Sequence, residues 1–139
     1  MVCRIRTWSL TYLLTKDMKP KEIIEKANLH KGFDKKRQEV FFGTMVDELL
    51  AVYDSYGVKD SDRHFDAAVK SLRAKWDAIS NKIPYGLSDG VWGFFYARYV
   101  APLKEELCPT WKARNDAWQL KKEERRKRAE EKKNKNAEE

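Results

Sequence analysis

From residue 20 onward, apolar residues recur at intervals of three and four, and Gly and Pro divide that pattern into about five helical stretches. The first is short, PKEIIEKANLHK over residues 20–31, with Pro20 suited to a first helical position and Gly32 to a helix end. Asp34 caps the second, which carries Val40, Phe41, Met45, Leu49, Val52, Tyr53 and Tyr56 at helical spacing before Gly57. A third begins at Asp60 or Ser61, sets Phe65, Ala68, Val69, Leu72, Trp76 and Ile79 on one stripe, and closes at Pro84 and Gly86. Ser88 caps the fourth, where Leu87 and Trp92 have the spacing of a hydrophobic staple. Pro102 is expected to end or kink that helix, because it has no amide hydrogen and its ring clashes one turn back. The fifth starts near Pro109 and runs past Trp118 into a charged C-terminus. Residues 5–15 read equally as strand, being rich in Trp, Thr, Tyr and Leu.

The pattern predicts an all-α fold: a small helical bundle of about five helices with a long charged C-terminal helix or tail. Residues 1–17 read as an N-terminal extension, with Met18 as an alternative first residue. Residues 18–111 form the helical core domain and residues 112–139 the tail.

The densest apolar stretch is GVWGFFYARYV, residues 90–100. On a helix, Trp92, Phe95, Tyr96, Tyr99 and Leu103 share one face, with Val100 at its edge, which is the pattern of a buried stripe. Phe94, Arg98 and Ala101 fall on the other side. Phe94 with Arg98 four residues on is therefore a candidate interaction site, since bases stack on aromatic rings and on Arg planes. Gly86, Gly90 and Gly93 match neither phosphate-loop spacing, and Asp89 puts a negative charge where a phosphate would sit.

Charge sharpens this picture. The chain has 139 residues, 42% hydrophobic and 37% charged, with a net charge of +7, so acidic partners are favoured and nucleic acid first among them. Residues 19–37 hold seven Lys or Arg against three acids, and residues 112–139 hold eleven against seven. The aromatic middle, residues 38–111, is mildly acidic, with eight against eleven. Basicity thus belongs to two segments. Cys3 and Cys108 are far apart and in no C-x-x-C arrangement, which fits a reducing, cytoplasmic setting. No apolar run approaches the roughly 20 residues of a membrane span, and the short run after Arg4 and Arg6 lacks the features of a secretory signal, so a soluble chain with no membrane partner is expected.

Within the first basic segment, EIIEKANLHKG (residues 22–32) resembles the first helix and turn of helix-turn-helix DNA-binding domains of the bacterial repressor type. Ile23, Ile24 and Ala27 match its apolar pair and small residue, Asn28 stands at the turn glycine, Leu29 follows, and His30 takes the cap position. Asn tolerates the left-handed conformation that the turn requires. The resemblance implies that the next helix is the recognition element, carrying Lys31, Lys35, Lys36 and Arg37 toward phosphates or base edges. The pattern departs immediately afterwards, where Asp34 and Arg37 occupy positions that should be apolar.

From Lys121 onward only Ala129 and Ala137 interrupt the polar residues. Glu123 with Lys127, and Glu124 with Arg128, are spaced as favourable i, i+4 pairs. Arg125, Arg126, Lys127 and Arg128 are candidates for a nucleic-acid backbone. No catalytic constellation is present: His30 and His64 are the only histidines, and G-x-S-x-G and H-E-x-x-H are absent. The spacings of Cys3, His30, His64 and Cys108 match no zinc signature, and Asp54, Asp60, Asp62 and Asp66 lack the pattern of a calcium loop and read as helix caps. No metal or cofactor is implied. The expectation is a non-catalytic, basic helical protein that binds DNA or RNA. The alternative is a protein-interaction or assembly module, acting on a partner or a second copy through Phe94, Arg98 and the long last helix.

Overall fold

The computed structural model describes residues 18–138, and the regular structure among them is entirely helical, as an all-α bundle requires. Helix α1 spans Pro20–Ala27, and a 3-10 turn spans Leu29–Lys31. Helices α2 (Lys35–Ser55) and α3 (Asp62–Lys82) follow. Then α4 (Asp89–Phe95) runs through a π turn (Tyr96–Val100) into α5 (Ala101–Leu107), and α6 spans Pro109–Glu138. The ambiguous residues 5–15 lie outside the described part.

The caps follow the sequence. Pro20 is in the first turn of α1, Asp34 accepts from the Arg37 amide at 2.9 Å, and Ser61 accepts from the His64 amide at 3.4 Å. Ser88 occupies the N-cap of α4, yet its hydroxyl makes no capping hydrogen bond. Helix α1 stops at Ala27, short of Lys31, because Asn28 turns left-handed at φ 54°, ψ 38° and the chain closes through the tighter 3-10 turn.

Helices α1, α2 and α3 pack pairwise on one another, and the aromatic residues of α4 close the fourth side. The centre is aromatic. Trp76 of α3 lies 4.9 Å from Phe41, 5.1 Å from Trp92 and 5.2 Å from Phe95, ring centre to ring centre. Each fully buried Phe contributes about 2–3 kcal/mol by leaving water. Because α2 is covered from several sides, two of its faces are buried. Phe42, Thr44, Glu48, Leu50 and Ala51 join the expected Phe41, Met45, Leu49 and Tyr53, while the expected Val40 and Tyr56 are exposed.

Pro102 does not end its helix. Ahead of it the bonding shifts to the π pattern, with the Ala101 amide donating to the Tyr96 carbonyl five residues back. The π turn takes up the register where Pro102 has no amide to offer the fourth carbonyl back. Of the expected stripe Phe95 and Leu103 are buried, the edge residue Val100 is buried as well, and Trp92, Tyr96 and Tyr99 pack partly covered against the core.

The C-terminal helix is seated by acids at the start of α3. Asp60 (φ 52°) accepts from the Thr110 amide at 2.9 Å and from its hydroxyl, so it caps α6 across 50 residues of sequence. Asp62 pairs with Arg114 at 3.2 Å, and Asp66 with Lys104 at 2.9 Å. Three of the four acids read as caps, Asp60, Asp62 and Asp66, thus hold α5 and α6 in place. From Asp116 on, α6 is exposed along its whole described length, apart from Glu138, whose side chain is not described.

Candidate nucleic-acid interface

The first basic segment folds into the α1–α2 connection. Lys31 lies in the 3-10 turn, and Lys35 and Lys36 lie in the first turn of α2. All three are exposed, and none makes an ion pair or hydrogen bond with another side chain among the described residues. Arg37 differs. Its guanidinium is bound to Asp34, the residue that caps its own helix, and its Nε is buried without a partner. Beside them is a concavity of about 170 Å³ lined by Lys26, Asn28, Asp34, Lys36 and Arg37.

This geometry corrects the helix-turn-helix expectation. Asn28 does adopt the left-handed turn, but His30 does not cap the following helix. Seven residues, 28–34, separate α1 from α2, and the motif uses three or four. Beyond its first turn α2 is a core element, with Phe41, Phe42, Met45 and Leu49 buried.

Phe94 and Arg98 are brought together as their spacing requires. The Arg98 guanidinium lies 5.8 Å from the Phe94 ring centre, and Arg98 has no acidic partner among the described residues. Phe94 is 48% exposed and rests one side against Phe42, 6.0 Å away. The same ring lines a shallow concavity of about 330 Å³ with Gln38, Ser88, Gly90 and Val91. Gln38 follows Arg37 directly and lies one helical turn after Lys35, on the same side of α2. The basic turn and the exposed aromatic ring therefore share one end of the bundle, a juxtaposition the sequence did not reveal.

Tyr85, in the α3–α4 loop, belongs to this end as well. It is half-exposed, and its hydroxyl donates to the Leu29 carbonyl at 2.5 Å, tying that loop to the basic turn. Burial raises the Tyr85 phenol above its ordinary value, and the positive charge of Arg37 opposes this. Gln38 and Tyr85 were not singled out by sequence reasoning, and Ser88 only as a helix cap. Only Tyr85, an aromatic between Pro84 and Gly86, carried a signal that could have marked it.

The second basic cluster stands apart. Arg125, Arg126, Lys127 and Arg128 are exposed on α6, which packs mainly on α5. Arg126 is held at 2.6 Å by Glu123 and at 3.0 Å by Glu130, so Glu123 pairs at i+3 instead of with Lys127. Hydrogen bonds from Arg126 hold the Glu123 carboxyl below its usual value. Glu124 forms no pair with Arg128 among the described residues.

Among the described residues no group of three or more His, Cys, Asp or Glu is placed to hold a metal ion, and no helix is long and apolar enough to cross a membrane. His64 is engaged by the Ser61 hydroxyl at 2.6 Å and lies edge-on to Tyr56. No protein-family model, no curated protein and no solved structure matches the chain.

Proposed function

We propose that the protein is a non-catalytic nucleic-acid-binding protein that meets phosphates with the basic turn between α1 and α2. The observation that carries this reading is where the unneutralised charge lies. In the acidic middle of the chain, Arg73 pairs with Asp77 and Asp89, Lys75 with Glu48, and Lys104 with Asp66, while the cations there without an ion pair among the described residues, Lys59, Arg63, Lys70, Lys82 and Arg98, are spread along the sequence. At the turn, Lys31, Lys35 and Lys36 are left without acids and converge on one end of the bundle. Unpaired, exposed lysines release counterions from a polyphosphate on binding, which supplies affinity without sequence specificity. Arg125, Lys127 and Arg128 add a second, separate set of contacts from α6, whereas Arg37 and Arg126 are held by their own carboxylates.

The test is binding of fluorescent oligonucleotides at increasing salt. The affinity should fall log-linearly, and Lys35→Ala with Lys36→Ala should make the slope shallower by about 1.4 on single strands, at roughly 0.7 per phosphate neutralised. Absence of binding at low salt would remove this reading.

A second reading is favoured by a different observation. Trp118 is 55% and Leu120 63% exposed on a helix that no neighbouring element covers there. Such a surface suits pairing with a second copy or with a partner helix. Sedimentation of the intact chain at high concentration tests it: a strict monomer argues against self-association.

A further inference from the structure

We infer that the end of the bundle carrying Phe94, Arg98, Gln38 and Ser88 is a stacking platform for an unpaired nucleobase, so that the ligand is a single strand and not a duplex. This rests on the reading of the basic turn as a phosphate contact and adds to it a recognition element of different chemistry.

Four observations lead there. Phe94 is half-exposed on a helix whose other aromatic residues pack against the core, and its position is fixed from behind by Phe42. A half-exposed ring held in place by a core neighbour loses little freedom when a base stacks on it. The Arg98 guanidinium lies beside the ring without an acid to hold it, so it is free to sandwich a base or to swing onto the adjoining phosphate.

The concavity beside Phe94 offers uncommitted hydrogen-bonding groups. Gln38 and Ser88 both line it, and neither side chain has a hydrogen-bond partner among the described residues. Ser88 is an N-cap residue whose hydroxyl does not cap, which leaves it available to a base edge. The volume of about 330 Å³ is at the small end of ligand-binding concavities, suited to one base and open to solvent on its outer side.

Charge complements this chemistry. Lys35 precedes Gln38 by one turn, and a strand lying across Phe94 would present its backbone to Lys35 and Arg98. The nearest acid on α4, Asp89, is already answered by Arg73 at 3.4 Å. A duplex satisfies the cations but not the ring, since its bases hide their faces in the stack. The seven-residue α1–α2 connection also departs from the short turn by which a helix-turn-helix presents its second helix to a groove.

The experiment compares three probes on the full-length chain: an oligothymidylate, an abasic strand with the same number of phosphates, and a duplex of equal length. The oligothymidylate should bind tightest. Phe94→Ala should weaken it between about fivefold and a hundredfold while leaving the abasic strand unchanged, and Phe94→Tyr should restore it. Lys35→Ala with Lys36→Ala should weaken all three probes. Thermal melts of each variant exclude misfolding as the cause, and Phe94 is exposed enough that little change is expected. Equal affinity of wild type for the oligothymidylate and the abasic strand, or an unchanged affinity in Phe94→Ala, overturns the platform and leaves the charge reading standing. Failure of wild type to bind any probe overturns the charge reading itself. A Phe94→Ala effect confined to oligomeric state would assign the ring to a protein partner and overturn the platform as well.

Discussion

Glu48 is 1% exposed, deep between α2 and α3, with one carboxylate oxygen 2.7 Å from the Lys75 ammonium and the other without a partner. Burial raises its carboxyl above the usual value. The Lys75 hydrogen bond and charge oppose that shift, Asp47 adds to it, and Lys26 lowers it slightly. The sign follows directly. A carboxyl raised in the folded state favours folding in its protonated form, and that contribution is lost as pH rises through the folded value. Glu48→Gln should therefore flatten the dependence of stability on pH between mildly acidic and neutral conditions, without loss of stability at neutral pH, in urea melts. Lys75→Met removes the compensating cation and should cost about 3 kcal/mol at neutral pH, with most of it recovered on acidification. A Glu48→Gln protein that unfolds more easily at neutral pH would show that the charge pair is net favourable.

At the scale of elements, the turn after α1 and the helix broken by the π turn differ in how openly the sequence declared them. Asn28 was readable because few residues enter the left-handed region at acceptable cost, and one of them stands where the apolar pattern of α1 stops. Asn28→Ala should destabilise the fold by about 1 kcal/mol, and Asn28→Gly should not, as measured by denaturant melts. The caps at Asp34 and Ser61 and the stripe of α3 were equally legible, because each depends only on residues within one or two turns. The π turn was not. Pro102 announced a disturbance, but its resolution depends on Val100, and not Tyr99, becoming fully buried in the core. Phe42 was missed and Val40 misplaced for a related reason: a single-stripe reading assumes one buried face, while α2 is covered on two. The candidate site shows the same limit. Its lysines and its Phe94–Arg98 pair were visible as separate features, and only the packing of α2 against α4 placed them on one end.

For the molecule as a whole, the buried packing centres on Trp76 and thins toward the C-terminus. Everything described beyond Asp116 on α6 is held by helix hydrogen bonds, surface ion pairs and the contact of the Lys122 ammonium with the Trp118 ring, and such exposed pairs add little. Removing residues 121–139 should leave the main unfolding free energy within about 0.5 kcal/mol of the intact chain. Amide exchange should show the same division, with the tail opening far more readily than α2 or α3. Loss of the main transition on truncation would mean that the tail contributes to the core after all.

The acids that seat α6 have a mechanical meaning. A 30-residue helix is about 45 Å long, and this one is fastened near its first turns, through Asp60 to Thr110 and Asp62 to Arg114. Arg125–Arg128 stand about 25 Å out along it from Pro109. The helix is thus a boom on a small foot. A tilt of about 10° at the foot swings its far end by roughly 8 Å, at the 1.5 Å rise of an α-helix. Hydrogen bonds from Thr110 hold the Asp60 carboxyl below its usual value, so this part of the foot stays ionised and engaged above that range and loosens only as pH falls through it.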